Sequence, residues 1–143
     1  MGHEGASNIV IEASCHCGAV RIEVPRAPDR VTDCNCSICR SLGVLWAYYP
    51  PTEVTIQGPP DGIVAYVRSD LGEPAGLAFH HCRVCGCTTH WRSFDPARDD
   101  RMGVNARLMD PEAIKGARVR KLDGAVTWTY VDEEASPITP SSG

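Results

Sequence analysis

Eight cysteines fall into three tight clusters, and their spacing constrains this chain more than any other feature. The clusters are Cys15-His16-Cys17-Gly18, Cys34-Asn35-Cys36-Ser37-Ile38-Cys39 and Cys82-Arg83-Val84-Cys85-Gly86-Cys87. Cysteines two apart, such as Cys15 and Cys17 or Cys34 and Cys36, are too close in sequence to bridge each other comfortably. In an extended segment their side chains point the same way, which suits a shared metal ion. Compartment argues in the same direction. No apolar run follows Met1, so no secretory signal is expected and a reducing cytoplasm is the default. There, clustered cysteines are more often ligands or catalytic groups than disulfides.

A staple is needed. The chain has 143 residues, enough for one domain, but only 6% are aromatic, and 13 Gly and 11 Pro interrupt long regular elements. The expected organisation is a lead-in over 1–8, one zinc-binding β domain over 9–131 and an acidic, Pro- and Ser-rich tail over 132–143. No stretch approaches the roughly 20 apolar residues of a membrane span, so no membrane partner is expected. The net charge, 14 − 18 = −4, argues against nucleic acid as a partner. Between Arg98 and Lys121, however, basic residues outnumber acidic ones. The plainer reading of that run is a solvated strand face, and the sharper one is a shore for a small anionic substrate.

Hydrophobic periodicity is two through most of the chain. Val20, Ile22 and Val24 alternate with polar neighbours, and strands are also expected at Val44–Tyr49, Val54–Ile56 and Ile63–Val67. Further strands are expected at Leu77–His81, Thr88–Trp91, Arg101–Asn105, Ala117–Leu122 and Ala125–Val131, the last two joined by a hairpin turn at Asp123-Gly124. Helix signals are scarce. Asp110-Pro111-Glu112 offers a cap, a proline and an acid for a turn or two. The pattern reads as an antiparallel, mostly β domain with its cysteines at strand ends and turns.

The first and third clusters each supply half of a tetrahedral site. Cys82-x-x-Cys85-Gly86 is a zinc-knuckle pattern, a tight turn that aims two sulfurs at one point. Joined, Cys15, Cys17, Cys82 and Cys85 make a closed four-sulfur site whose role is structural. The middle cluster offers three ligands, Cys34, Cys36 and Cys39, and three protein ligands with a fourth position kept for water or substrate is the pattern of catalytic zinc. Two readings of that fourth position stand: open, or closed by Cys87 or by one of His16, His80, His81 and His90. Cys87, two residues beyond Cys85, could equally pack beside the first site. Three thiolates make zinc a weak generator of hydroxide but a soft centre. Such a centre can bind an incoming thiol as thiolate near neutral pH, below its free pKa of about 8.5. A bound thiolate can attack an electrophilic carbon such as an aldehyde.

Cys-x-Cys-Gly, then Cys-x-Cys-x-x-Cys-Arg, then Cys-x-x-Cys-Gly, in this order, resembles the glutathione-dependent formaldehyde-activating enzyme family. The likeness continues through Ser41-Leu42-Gly43 and Trp46-Ala47-Tyr48-Tyr49, and into Thr88-Thr89-His90-Trp91, Asn105-Ala106-Arg107-Leu108 and Leu122-Asp123-Gly124 with Trp128. The resemblance implies an all-β, tent-like arrangement of small antiparallel sheets. It implies two zinc ions, a structural one on Cys15, Cys17, Cys82 and Cys85 and a catalytic one on Cys34, Cys36 and Cys39. The implied activity is that of a carbon–sulfur lyase, adding the glutathione thiol to formaldehyde and reversing that step. Arg40, Asn105 and Arg107 are the expected contacts to the carboxylates of the substrate. The competing reading is a zinc-stabilised binding or accessory module in which both ions only hold the fold. A redox role for Cys82-x-x-Cys85 is disfavoured, because no thioredoxin-like βαβ pattern surrounds it.

Overall fold

The structure is a computed structural model, and it describes residues 10–67, 76–95 and 100–132. Strands predominate. They are β1 (Ile11–Ser14), β2 (Arg21–Val24), β3 (Arg30–Cys34), β4 (Trp46–Tyr49), β5 (Thr55–Gln57), β6 (Ile63–Val67), β7 (Leu77–Cys82), β8 (Thr88–Ser93), β9 (Met102–Asn105), β10 (Arg118–Leu122) and β11 (Tyr130–Asp132). Among the described residues two short α-helices join them, α1 (Ser37–Leu42) and α2 (Pro111–Ile114), with 3-10 turns at Pro51–Glu53 and Ala106–Leu108. As expected from the sequence, Asp110 caps α2, its carboxylate accepting the Glu112 N–H at 2.9 Å. The lead-in over 1–8 and the tail from residue 133 lie outside the described residues; Asp132 still belongs to β11.

An eight-stranded sheet runs β11-β10-β3-β4-β9-β8-β7-β6, and a three-stranded sheet runs β1-β2-β5. Among the described residues every pairing is antiparallel but one. β10 lies parallel to β3, matching Arg118 with Arg30 and Leu122 with Cys34. The small sheet covers one face of the large one. Ala13, Ile22 and Val24 pack there against Val31, Ala47, Tyr49, Met102 and Val104, all 2% exposed or less. Alternation then sends Thr32, Cys34, Trp46 and Tyr48 to the opposite face. That second face carries a separate cluster in which Trp46 and Phe79 pack with Cys34, Cys36 and Cys39.

Two expectations shift. The strand expected from Ala125 begins only at Tyr130, and Asp123–Thr129 form a loop in place of a two-residue hairpin turn. The middle cluster, read as turn-like, spans the end of β3 and the first turn of α1.

Candidate metal centres

Two groups of sulfur atoms converge. In the first, Cys15, Cys17, Cys82 and Cys85 place their Sγ atoms within 4.8 Å of one another. Cys15 and Cys17 follow the end of β1 in the small sheet, while Cys82 ends β7 in the large one. The two half-sites are built alike. Each is a reversing turn closed by a glycine of positive φ, Gly18 at 84° and Gly86 at 81°, a conformation costly for any residue with a Cβ. Each also aims backbone N–H groups at sulfur. Val20 N–H points at Cys15 Sγ (3.3 Å), and Val84 N–H and Cys85 N–H point at Cys82 Sγ (3.3 and 3.5 Å). Such donors favour thiolate over thiol. The N–H groups of Cys87 and Cys17 hold the Cys85 thiol down to about 5.

Cys15 Sγ lies 3.7 Å from Cys17 Sγ, and Cys17 Sγ lies 3.6 Å from Cys82 Sγ. These distances far exceed the roughly 2.05 Å of a disulfide, and all eight cysteines are free. Four sulfurs at van der Waals separation, with N–H donors trained on them, fit a tetrahedral metal ion. The donor set is soft.

The second group holds Cys34, Cys36 and Cys39, again within 4.8 Å of one another and 3–6% exposed. Cys34 is the last residue of β3, Cys36 is the N-cap of α1, and Cys39 lies in the first turn of that helix. Cys36 N–H points at Cys34 Sγ (3.4 Å), and the Trp46 indole Nε1–H donates to Cys39 Sγ (3.3 Å). Three thiols in so small a space compete for charge. A hydrogen bond from Cys39, aided by the Cys36 N–H, draws Cys34 down to about 6 against its burial, while the charge it donates to pushes Cys39 far up. A bound cation would relieve that conflict, so this group too fits a metal ion.

A loop covers the second group. The Asn35 side chain donates to Asp123 Oδ1 (3.1 Å) and accepts from Ala125 N–H (2.9 Å). This lays Gly124 on the cysteines so closely that a Cβ there would stand 2.6 Å from Cys34 Sγ and 3.1 Å from the edge of the Trp128 ring. Trp128 itself is 55% exposed and adopts a left-handed φ of 59°.

The remaining candidates are elsewhere. Cys87 packs with Cys15, Val20 and Cys82, beside the first group. His80 and His90 stack on each other, ring centroids 4.2 Å apart and 4° from parallel. Among the described residues, no histidine joins either sulfur group. Asn105 is buried with its amide spent on backbone, accepting from Leu45 N–H and Arg107 N–H and donating to the Thr88 carbonyl. Arg40 and Arg107 are exposed, on α1 and on the turn after β9. Sequence reasoning passed over Thr32, Tyr48 and Tyr130 as site residues; they stand on the cysteine-bearing side of the sheet with Arg120, a member of the basic run between Arg98 and Lys121.

Residues 10–120 match the family model described as glutathione-dependent formaldehyde-activating enzyme, well over half of the chain. A crystal structure of a Rhodobacter sphaeroides protein superposes with a TM-score of 0.59 at 24% identity, over 76% of this chain and 98% of that one. The likeness establishes the fold. Among the described residues, no helix is long and apolar enough to cross a membrane.

Proposed function

Because the chain belongs to the glutathione-dependent formaldehyde-activating enzyme family, we propose that it is a zinc-dependent carbon–sulfur lyase that makes and breaks the adduct of glutathione, or a related small thiol, with an aldehyde. The observation that carries this reading is the convergence of three buried sulfurs from one six-residue segment, with Cys87 packed at the other group. Cys34, Cys36 and Cys39 would hold the zinc, which when bound supplies a soft Lewis acid able to keep a thiol deprotonated near neutral pH. Cys15, Cys17, Cys82 and Cys85 would hold a second zinc with a structural role.

The chain's own residues set the environment of the reaction. The thiol sulfur adds to the aldehyde carbon, the carbonyl electron pair moves to oxygen, and the proton given up by the thiol ends on that oxygen. Cys36 N–H and the Trp46 Nε1–H take up part of the sulfur charge around the site. Trp46, Phe79, Tyr48 and Trp91 form an aromatic wall on the same side of the sheet, with Trp46 and Phe79 centroids 5.9 Å apart and Tyr48 and Trp91 6.2 Å apart. That wall limits water at the cysteines and leaves the soft sulfur chemistry in a medium of reduced polarity. Eight free thiols, which persist in a reducing compartment, also support a cytoplasmic location.

The test combines metal counting with exchange NMR of glutathione and formaldehyde. Cys36→Ala should lose one zinc and the acceleration of adduct exchange while keeping the native melting profile. Cys82→Ala should lose the fold. Full exchange activity in a Cys36→Ala protein with one zinc would sink the reading.

A further inference from the structure

Residues 123–129 leave β10 after Leu122, cross the middle cysteine group and rejoin the sheet at Tyr130. This loop is braced within itself. Asp123 N–H donates to the Thr129 carbonyl (2.9 Å), and Thr127 Oγ1 donates to Asp123 Oδ2 (3.0 Å). Thr127 Oγ1 also shares a hydrogen bond with Thr129 Oγ1 (2.8 Å). Its grip on the cysteine segment is slighter. Two bonds from one exposed side chain, Asn35, reach Asp123 Oδ1 and Ala125 N–H, and the Gly124 N–H points at the Cys34 sulfur.

The two sides of the loop differ sharply. Beneath it, Cys34, Cys36 and Cys39 are buried. On its outer side the apolar residues Val126 and Trp128 are 78% and 55% exposed. The edge of the Trp128 ring stands 3.1 Å from where a Cβ on Gly124 would lie, and the residue holds its left-handed backbone to keep the ring there. A segment braced internally, little packed on its outer side and tied down by exposed hydrogen bonds can open as a unit. Water replaces such bonds at small net cost.

Burial makes opening necessary. An ion, or a ligand that exchanges on it, has to pass from water to sulfurs that water barely touches. Trp46 and Phe79 close the group from the sheet, and Cys36 and Cys39 are built into the N-cap and first turn of α1. Moving any of these would break the core or the ligand set. Moving the loop breaks neither.

We propose that residues 123–129 form a gate over the middle sulfur group, with Asn35 as its latch, and that metal ions and exchangeable ligands reach the group when the gate lifts. Asn35 is a positioning residue, acting on the site through the loop. The proposal rests on the reading that Cys34, Cys36 and Cys39 hold an ion, and not on the reaction performed there.

Metal-exchange kinetics test it, because a gate and a buttress leave different signatures. A gate obstructs both directions, so unlatching it speeds entry and exit by a common factor and leaves affinity where it was. A buttress stabilises the occupied state, so removing it speeds exit alone. Protein reduced by chelation to a single zinc per chain is mixed with cobalt(II) in stopped flow, and uptake is read from thiolate-to-cobalt absorption. The part of that signal missing in Cys36→Ala belongs to the middle group. Release is then timed against excess chelator. In the wild type, uptake should level off with rising cobalt concentration at the opening rate of the loop. In Asn35→Ala, uptake and release should both quicken about tenfold, their ratio changing less than about threefold. Wild-type uptake that keeps rising in proportion to cobalt up to millimolar concentration overturns the gate. So do unchanged rates in Asn35→Ala, or faster release with unchanged uptake, and each of these leaves the metal reading intact. Wild-type protein that takes up no cobalt at the middle group overturns the metal reading and the gate with it.

Discussion

Gly124 has no room for a side chain, because a Cβ would meet Cys34 Sγ at 2.6 Å and Cys36 Cβ at 3.2 Å. Gly124→Ala must push the covering loop away or displace the sulfur, at an overpacking cost of about 1–3 kcal/mol. Chelator competition should show the ion at the middle group bound about tenfold more weakly, with the melting temperature lowered by only several degrees. His90 gives a second single-residue prediction. It is 4% exposed, and burial first, then the charges of His80 and Arg92, holds its pKa down to about 3 from the ordinary 6.5. Above pH 6.5 the ring is neutral in both folded and unfolded chains, and stability is at its full value. As pH falls from 6.5 toward 3, the unfolded chain takes up a proton the folded one refuses. Stability then declines by as much as about 1.4 kcal/mol per pH unit. His90→Asn should remove that part of the slope in denaturant melts between pH 6.5 and 4.5, and an unchanged slope would refute the burial argument. Neither residue's role was legible in the sequence, since both depend on what lies across the sheet or under the loop. The ligand groupings were legible, because two- and three-residue spacings already bring sulfurs together locally.

At the scale of elements, period-two alternation located most strands to within a residue or two. It failed where distant parts of the chain override local preference. Asp123-Gly124 followed by alternating apolar residues reads as a hairpin turn entering a strand. Instead, the Asn35 side chain grips both Asp123 and Ala125 and draws the segment over the cysteines, so pairing resumes only at Tyr130. α1 escaped notice because it is six residues long, and Ser and Cys are poor helix formers. The parallel pairing of β3 with β10 joins segments too far apart for any local pattern to reveal. Asn35→Ala should free the loop without unfolding the sheet. Hydrogen exchange at the Ala125 and Thr127 amides should accelerate about tenfold while β9 amides keep their protection. Equal acceleration across the sheet would show that the loop is not a separable unit.

Over the whole molecule the two sulfur groups do different mechanical work. The middle group is contained within residues 34–39, so loss of an ion held there would disturb one strand end and one helical turn. The other group joins the small sheet to the large one, so an ion held there would close the structure. Stepwise chelation should therefore release two ions in sequence. The first should leave with far-ultraviolet circular dichroism unchanged, and the second should leave together with the cooperative loss of structure. Simultaneous release, or unfolding on the first, would contradict the division of roles. The basic run between Arg98 and Lys121 was visible as composition, but its sorting was not. The fold delivers Arg101 and Arg120 to a cleft with Arg26 and Arg30, and spends Lys115 on Glu112 at 2.9 Å.

The joining of the sheets also sets a schedule for synthesis. Cys17 and Cys82 are 65 residues apart, and ribosomes add about 5–20 residues per second. The first pair of thiols therefore waits several seconds, outside or within the exit tunnel, before its partners exist. A nascent chain in that interval holds half a metal site and an unpaired apolar sheet face. It is then open to oxidation and mispairing in a way the finished protein is not, and its yield should depend on redox conditions and metal supply during translation more than on those met afterwards.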